Sequence, residues 1–167
     1  DKRTKEYLQQ QGRVEDYIEI KADEDATYDQ ELTVDLSTLV PMTAKPHSPD
    51  AVVPVKELEG MKINQVVIGS CTNSSFADMM KAAKILKGRK VAEHVSLVIA
   101  PGSSSILAML AKNGALGDMV QAGARILECG CGPCIGMGQA PLSKGISLRT
   151  INRNFKGRSG TNDASVY

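Results

Sequence analysis

From Met61 onward the apolar residues follow two alternating patterns. Short β-branched runs occur at Gln65–Gly69 and Ser96–Ala100, and weaker ones at Ala124–Glu128 and Leu148–Ile151. Each reads as a buried strand. Between them lie stretches with apolar residues at helical spacing. Ser74–Leu86 carries Phe76, Met79, Met80, Ala83 and Leu86; Ser104–Lys112 carries Ile106, Leu107, Met109 and Leu110; Leu116–Ala122 is a third, shorter piece. Strand–helix–strand alternation predicts an α/β fold: a three-layer domain, with a parallel sheet and helices on both faces. Ser103–Ser105 reads as a cap for the helix that follows.

Residues 1–60 lack that regularity. A short helix is expected over Arg3–Gln11, closed by Gly12. Strand-like runs follow at Tyr17–Ile20 and Glu31–Leu36, with an acidic turn at Asp23–Asp25 between them. Pro41, Pro46, Pro49 and Pro54 then punctuate the chain, and each removes a backbone donor and fixes φ. The expectation is an extended strap over 1–60 lying on an α/β domain over 61–167.

Composition changes this picture little. Hydrophobic residues make up 42% and charged residues 23% of the 167, which is ordinary for a folded chain. Twenty basic and 19 acidic side chains leave a net charge of +1, and aromatics are only 4%. Neither value favours a nucleic-acid partner. Lys81–Lys90 is the one basic stretch, and it reads as a solvated helix face. No apolar run approaches the roughly 20 residues needed to span a bilayer. The chain opens on Asp1 with no signal-like segment, so a piece of a longer cytoplasmic protein is expected.

The chemistry lies in the loops after the strands, which a parallel sheet gathers on one edge. The first strand runs into Gly69-Ser70-Cys71-Thr72-Asn73-Ser74-Ser75, and the third into Cys129-Gly130-Cys131-Gly132-Pro133-Cys134-Ile135-Gly136. The fourth runs into Asn152-Arg153-Asn154-Phe155-Lys156-Gly157-Arg158. Three readings of the cysteines compete. They are buried small hydrophobes, which suits Cys129 at a strand end; or Cys131 and Cys134 are a redox pair; or Cys71, Cys131 and Cys134 ligate a metal or cluster. A redox pair should open a long helix, yet Gly136 and Gly138 follow Cys134, and Cys71 is then left unexplained. A cluster on three thiolates leaves one iron open as a Lewis acid. The arginine loop is either a solvated basic loop or a grip for carboxylates, which guanidinium groups bind in bidentate fashion.

Taken together, the Gly69–Ser75, Cys131–Gly136 and Asn152–Arg158 segments resemble the motifs of the aconitase superfamily, which includes aconitate hydratase, homoaconitase and the large subunit of 3-isopropylmalate dehydratase. His47-Ser48-Pro49-Asp50 also resembles a run that precedes the first motif. The resemblance implies the third α/β domain of a larger enzyme. It implies Cys71, Cys131 and Cys134 as ligands of a [4Fe–4S] cluster, Asn152 beside the cluster, and Arg153 and Arg158 as binders of substrate carboxylates, with Asn152 and Arg153 counted as catalytic. Cys129 matches no ligand, and neither His47 nor His94 carries over. The implied partners are a small hydroxy-polycarboxylate and the remaining domains of the parent or a small subunit, which would supply the catalytic base. The expected activity is that of aconitate hydratase in the tricarboxylic acid cycle, citrate to isocitrate through cis-aconitate. The alternatives are 3-isopropylmalate dehydratase or homoaconitase, and, outside enzymes, a metal- or RNA-binding module.

Overall fold

The two strongest apolar runs form the centre of the sheet. The computed structural model describes residues 1–10 and 12–167. Strands β3 (Gln65–Gly69) and β4 (Ser96–Ala100) fall on the predicted residues and pair in parallel, with Val67 opposite Val98. Two further short strands precede them, β1 (Met42–Ala44) and β2 (Val52–Pro54), paired antiparallel in a hairpin. Strands β5 (Arg125–Ile126), β6 (Ile146–Arg149) and β7 (Ser165–Val166) complete an all-parallel five-stranded sheet of order β5-β4-β3-β6-β7.

Helices α2 (Phe76–Leu86), α3 (Ser104–Lys112) and α4 (Ala115–Gln121) pack on one face. There Met79, Leu110 and Met119 meet Leu97 and Ile99, all essentially removed from water. Burial of these five side chains stabilises the unit by about 1.5–3 kcal/mol each. Ser75 caps α2 in a reciprocal capping box with Asp78, and Ser103 caps α3 by accepting from the Ile106 amide at 3.2 Å. The side chains of Gln65, Ser147 and Arg149, alternate residues of β3 and β6, point to the opposite face. That face is covered by the segment that begins with the 3-10 turn Gly132–Ile135, whose Pro133 carbonyl accepts from Arg149.

Several sequence expectations are corrected. The chain divides into compact units at Leu39/Val40, not at 60/61. Residues 40–60 therefore belong to the α/β unit, as its hairpin and a 3-10 turn, Val55–Leu58. In the N-terminal unit, helix α1 spans Lys2–Gln10, and the expected end at Gln11 lies outside the described residues. Asp1 caps the helix, accepting from the Thr4 amide at 2.9 Å. Tyr17–Ile20 and Glu31–Leu36 form no strands. Ile20 is 91% and Leu32 87% exposed, and an alternating run becomes a strand only when a neighbouring backbone completes its ladder. The turn at Asp23–Asp25 does form, closed by the Ala26 amide on the Asp23 carbonyl. Among the described residues no helix is long and apolar enough to cross a membrane.

Candidate functional site

The carboxyl ends of β3 and β6, together with the loop after β5, bring the three motifs together. At the end of β3 the backbone turns sharply: Gly69 has φ +116, and a Cβ there would lie 2.1 Å from the Ala100 carbonyl oxygen, so only glycine fits. Ser70 follows at φ +75, a left-handed conformation that costs a non-glycine residue of order 1–3 kcal/mol and concentrates at functional sites. The buried Ser70 hydroxyl lies 3.0 Å from Cys134 Sγ and 3.9 Å from Cys71 Sγ, so one hydroxyl sits between two thiols. Cys131 Sγ lies 3.7 Å from Cys71 Sγ. The predicted convergence of Cys71, Cys131 and Cys134 is thus present, with Cys71 and Cys131 exposed and Cys134 buried.

Cys129 is exposed, which corrects its reading as a packed hydrophobe. It lies beyond the end of β5, which stops at Ile126, so its side chain has left the sheet before packing is available. Cys131 and Cys134 open only the four-residue 3-10 turn, ended by Gly136 at φ +87, and not the long helix a redox pair would use.

The thiols are inequivalent. The Thr72 hydroxyl, then Cys131 and Ser70, hold the Cys71 thiol below its ordinary value by hydrogen bonding to its thiolate. Cys131 is pushed up, chiefly because its thiol donates to Cys71 and then because a second negative charge would sit beside the first. Arg158 opposes that rise. The first proton therefore leaves from Cys71 and the second comes off harder. Among the described residues no three His, Cys, Asp or Glu side chains are gathered tightly enough to hold a single metal ion.

The arginine loop is tied to the cysteine loops at three points. The Gly69 amide donates to Thr150 Oγ1 at 2.8 Å, and the Asn73 side chain donates to the Thr150 carbonyl. Gly136 lies against the Ser159 carbonyl, where a Cβ would come within 2.2 Å of the oxygen. Asn152 and Arg153 are exposed and line a hollow of about 270 Å³ with Thr43, Ala44, Pro49 and Asn154. Arg158 is half-buried; its guanidinium carbon sits 5.8 Å from the Phe155 ring centre, and its buried Nε has no hydrogen-bond partner among the described residues. His47 and His94 are exposed.

Three residues with clear structural roles went unassigned in the sequence. Ser70 is the hydroxyl between the thiols. Asn154 is 4% exposed, and its Nδ2 donates to the carbonyls of Ala44, Lys45 and Val166 at 2.7–3.3 Å, fastening the hairpin to β7. Arg149, 8% exposed, donates to four oxygens under the Cys134 turn. Burial lowers its guanidinium to about 10, so it remains charged at neutral pH.

The sequence matches the profile of the Aconitase family (aconitate hydratase) over residues 1–61 and 55–167. The chain belongs to the aconitase family. It is 45% identical, over its whole length, to 3-isopropylmalate dehydratase large subunit 2 of Archaeoglobus fulgidus, covering 40% of that protein. It is 43% identical to the 3-isopropylmalate dehydratase large subunit of Moorella thermoacetica, also covering 40% of it. It is 40% identical to the methanogen homoaconitase large subunit of Methanocaldococcus jannaschii, covering 42% of it. The chain thus spans about two fifths of the length of the curated relatives it matches. These relatives are named 3-isopropylmalate dehydratase and homoaconitase large subunits, which back the alternative better than the expected aconitate hydratase and give no support to a place in the tricarboxylic acid cycle.

Proposed function

We propose that this chain is the thiolate-bearing unit of a hydro-lyase of the 3-isopropylmalate dehydratase type, working with further segments of a large subunit and with a small subunit. The observation that carries the reading is the convergence of three thiols from two separate loops, Cys71 3.7 Å from Cys131 and Cys134 held by Ser70, with Arg158 bearing on Cys131. The donor set fits a [4Fe–4S] cluster. The three candidate ligands are soft sulfurs, and no carboxylate is among them. Cys71, Cys131 and Cys134 would hold the cluster, which supplies a Lewis-acidic iron with an open position when bound.

The chain's other residues grip the substrate. Arg153, which lines the hollow, and Arg158, whose charge bears on Cys131, present guanidinium forks to carboxylates of a hydroxy-acid. The unpartnered Arg158 Nε is a buried donor that a carboxylate oxygen would satisfy. Asn152 offers an amide in the same hollow to orient the hydroxyl that departs. The group that abstracts the carbon-bound proton comes from segments outside this chain.

The homoaconitase relative supports a second substrate, a longer tricarboxylate, on the same machinery. The test uses the complete large subunit, loaded with iron and sulfide and mixed with its small subunit. Dehydration of 3-isopropylmalate, with a lower kcat/KM for citrate, is expected. Turnover of citrate or homocitrate in preference to 3-isopropylmalate would reassign the substrate. No turnover of any of them by cluster-loaded protein would refute the enzyme reading.

A further inference from the structure

An arginine inside a sheet is costly unless every donor finds a partner, and Arg149 finds oxygens only. Its Nε donates to Ser147 Oγ at 3.0 Å, one terminal nitrogen to the Pro133 carbonyl at 2.7 Å, and the other to Gln65 Oε1 and the Gln139 carbonyl, both at 2.8 Å. Gln65 also donates to the Ala140 carbonyl at 3.2 Å and accepts from Ser147 at 2.6 Å. Gln139 donates to Ser96 at 3.1 Å and accepts from Arg125 at 3.0 Å. The result is a polar layer between the sheet and residues 133–140. Two of the carbonyls that Arg149 holds bracket Cys134: Pro133 immediately before it, and Gln139 five residues after it.

The geometry points to Arg149 as a positioning residue: its fork fixes the Gly132–Ile135 turn to β6 and thereby sets the Cys134 thiol against Ser70, in register with Cys71 and Cys131. This rests on the proposed role of the three thiols as cluster ligands. A 3-10 turn of four residues has poor internal hydrogen bonding. Its neighbours Gly136 and Gly138 both have positive φ, at +87 and +70, and stiffen nothing. The turn's position is therefore set from outside, and Arg149 supplies the only side-chain donor recorded on the Pro133 carbonyl among the described residues. Lysine cannot replace it, because one ammonium lacks the planar spread that reaches Ser147, Pro133 and Gln139 together.

The test is alkylation of the cluster-free chain by iodoacetamide under native conditions, resolved by peptide mass spectrometry. Cys134 is 6% exposed and should react slowly, while exposed Cys129 serves as the internal reference. Arg149→Lys and Arg149→Gln should raise the Cys134/Cys129 ratio by about tenfold or more, since charge-assisted bonds that close the turn are lost. Met119→Ala opens a cavity in the distant helical core and lowers global stability, and should leave the ratio unchanged. In anaerobic reconstitution the Arg149 variants should bind less iron than the parent chain. Should either variant fail to fold, Ser147→Ala, which removes the Nε partner alone, should raise the ratio by about threefold. An unchanged ratio in the folded variants, or an equal rise in Met119→Ala, overturns the proposal. Failure of the parent chain to take up iron, with the labelling pattern as expected, counts against the cluster reading and leaves the clamp standing.

Discussion

Gly136→Ala separates two kinds of strain at the point where the cysteine turn meets the arginine loop. At φ +87 an L side chain costs about 1–2 kcal/mol. The new Cβ would also lie 2.2 Å from the Ser159 oxygen, 2.7 Å from its carbonyl carbon and 2.9 Å from Gly160 Cα. All three are backbone atoms, so no rotamer change relieves the clash, and the two loops must move apart. Overpacking of this kind adds about 1–3 kcal/mol. Gly138→Ala is the matched control: φ is +70, but the nearest atom is the end of the flexible Arg125 side chain at 3.6 Å, an ordinary contact. It should show the conformational cost alone. In urea unfolding followed by circular dichroism, Gly136→Ala should lose about 3 kcal/mol or more and Gly138→Ala about half as much. Separation of the loops should also draw Arg158 away from Cys131, so the pH at which Cys131 alkylates should rise in Gly136→Ala and stay put in Gly138→Ala. Equal losses in the two variants would mean that the close approach to Ser159 does not exist.

The pH dependence of alkylation should distinguish the two neighbouring thiols: Cys71, held low by Thr72, reacts with a midpoint at lower pH than Cys131, and Thr72→Val should move the Cys71 midpoint upward. Asn154→Ala should cost about 1–3 kcal/mol in urea unfolding, because the carbonyls of Ala44, Lys45 and Val166 lose a buried donor; no loss would remove the hairpin's anchor from the account. In the complete enzyme, Arg153→Lys should keep its iron and lose roughly ten- to a hundredfold in kcat/KM, the equivalent of about 1.5–3 kcal/mol. Lys156→Ala, in the same loop, should lose much less, and equal losses would reduce the loop to a basic patch.

How much of this was legible in the sequence depended on whether hydrophobicity marked it. Strands β3 and β4 are apolar and flanked on both sides in the sheet, so pattern and structure agree residue for residue. The fourth predicted strand sits two residues too late, because Ser147 looks like a solvent-facing position when it in fact lines a buried polar layer with Arg149. The third is longer in prediction than in fact. An edge strand bonded only to β4 ends where the loop toward Cys131 leaves the sheet. The strands expected at Tyr17–Ile20 and Glu31–Leu36 fail for want of a partner backbone, which no local pattern reports. The cysteine and arginine loops were legible because topology gathers strand ends. The hydroxyl of Ser70 and the fork of Arg149 were not, since a serine and an arginine carry no sign of burial in a single sequence.

The central claim is that Cys71, Cys131 and Cys134, and not Cys129, hold the cluster. Its most direct test is anaerobic reconstitution of the chain and of its four single Cys→Ser variants with iron and sulfide, read as iron bound per chain and as the electron paramagnetic resonance signal of the oxidised or reduced cluster. The account predicts that Cys71→Ser, Cys131→Ser and Cys134→Ser each abolish the signal and most of the iron, while Cys129→Ser retains both. Loss of the cluster in Cys129→Ser, with retention in any one of the other three, would contradict it.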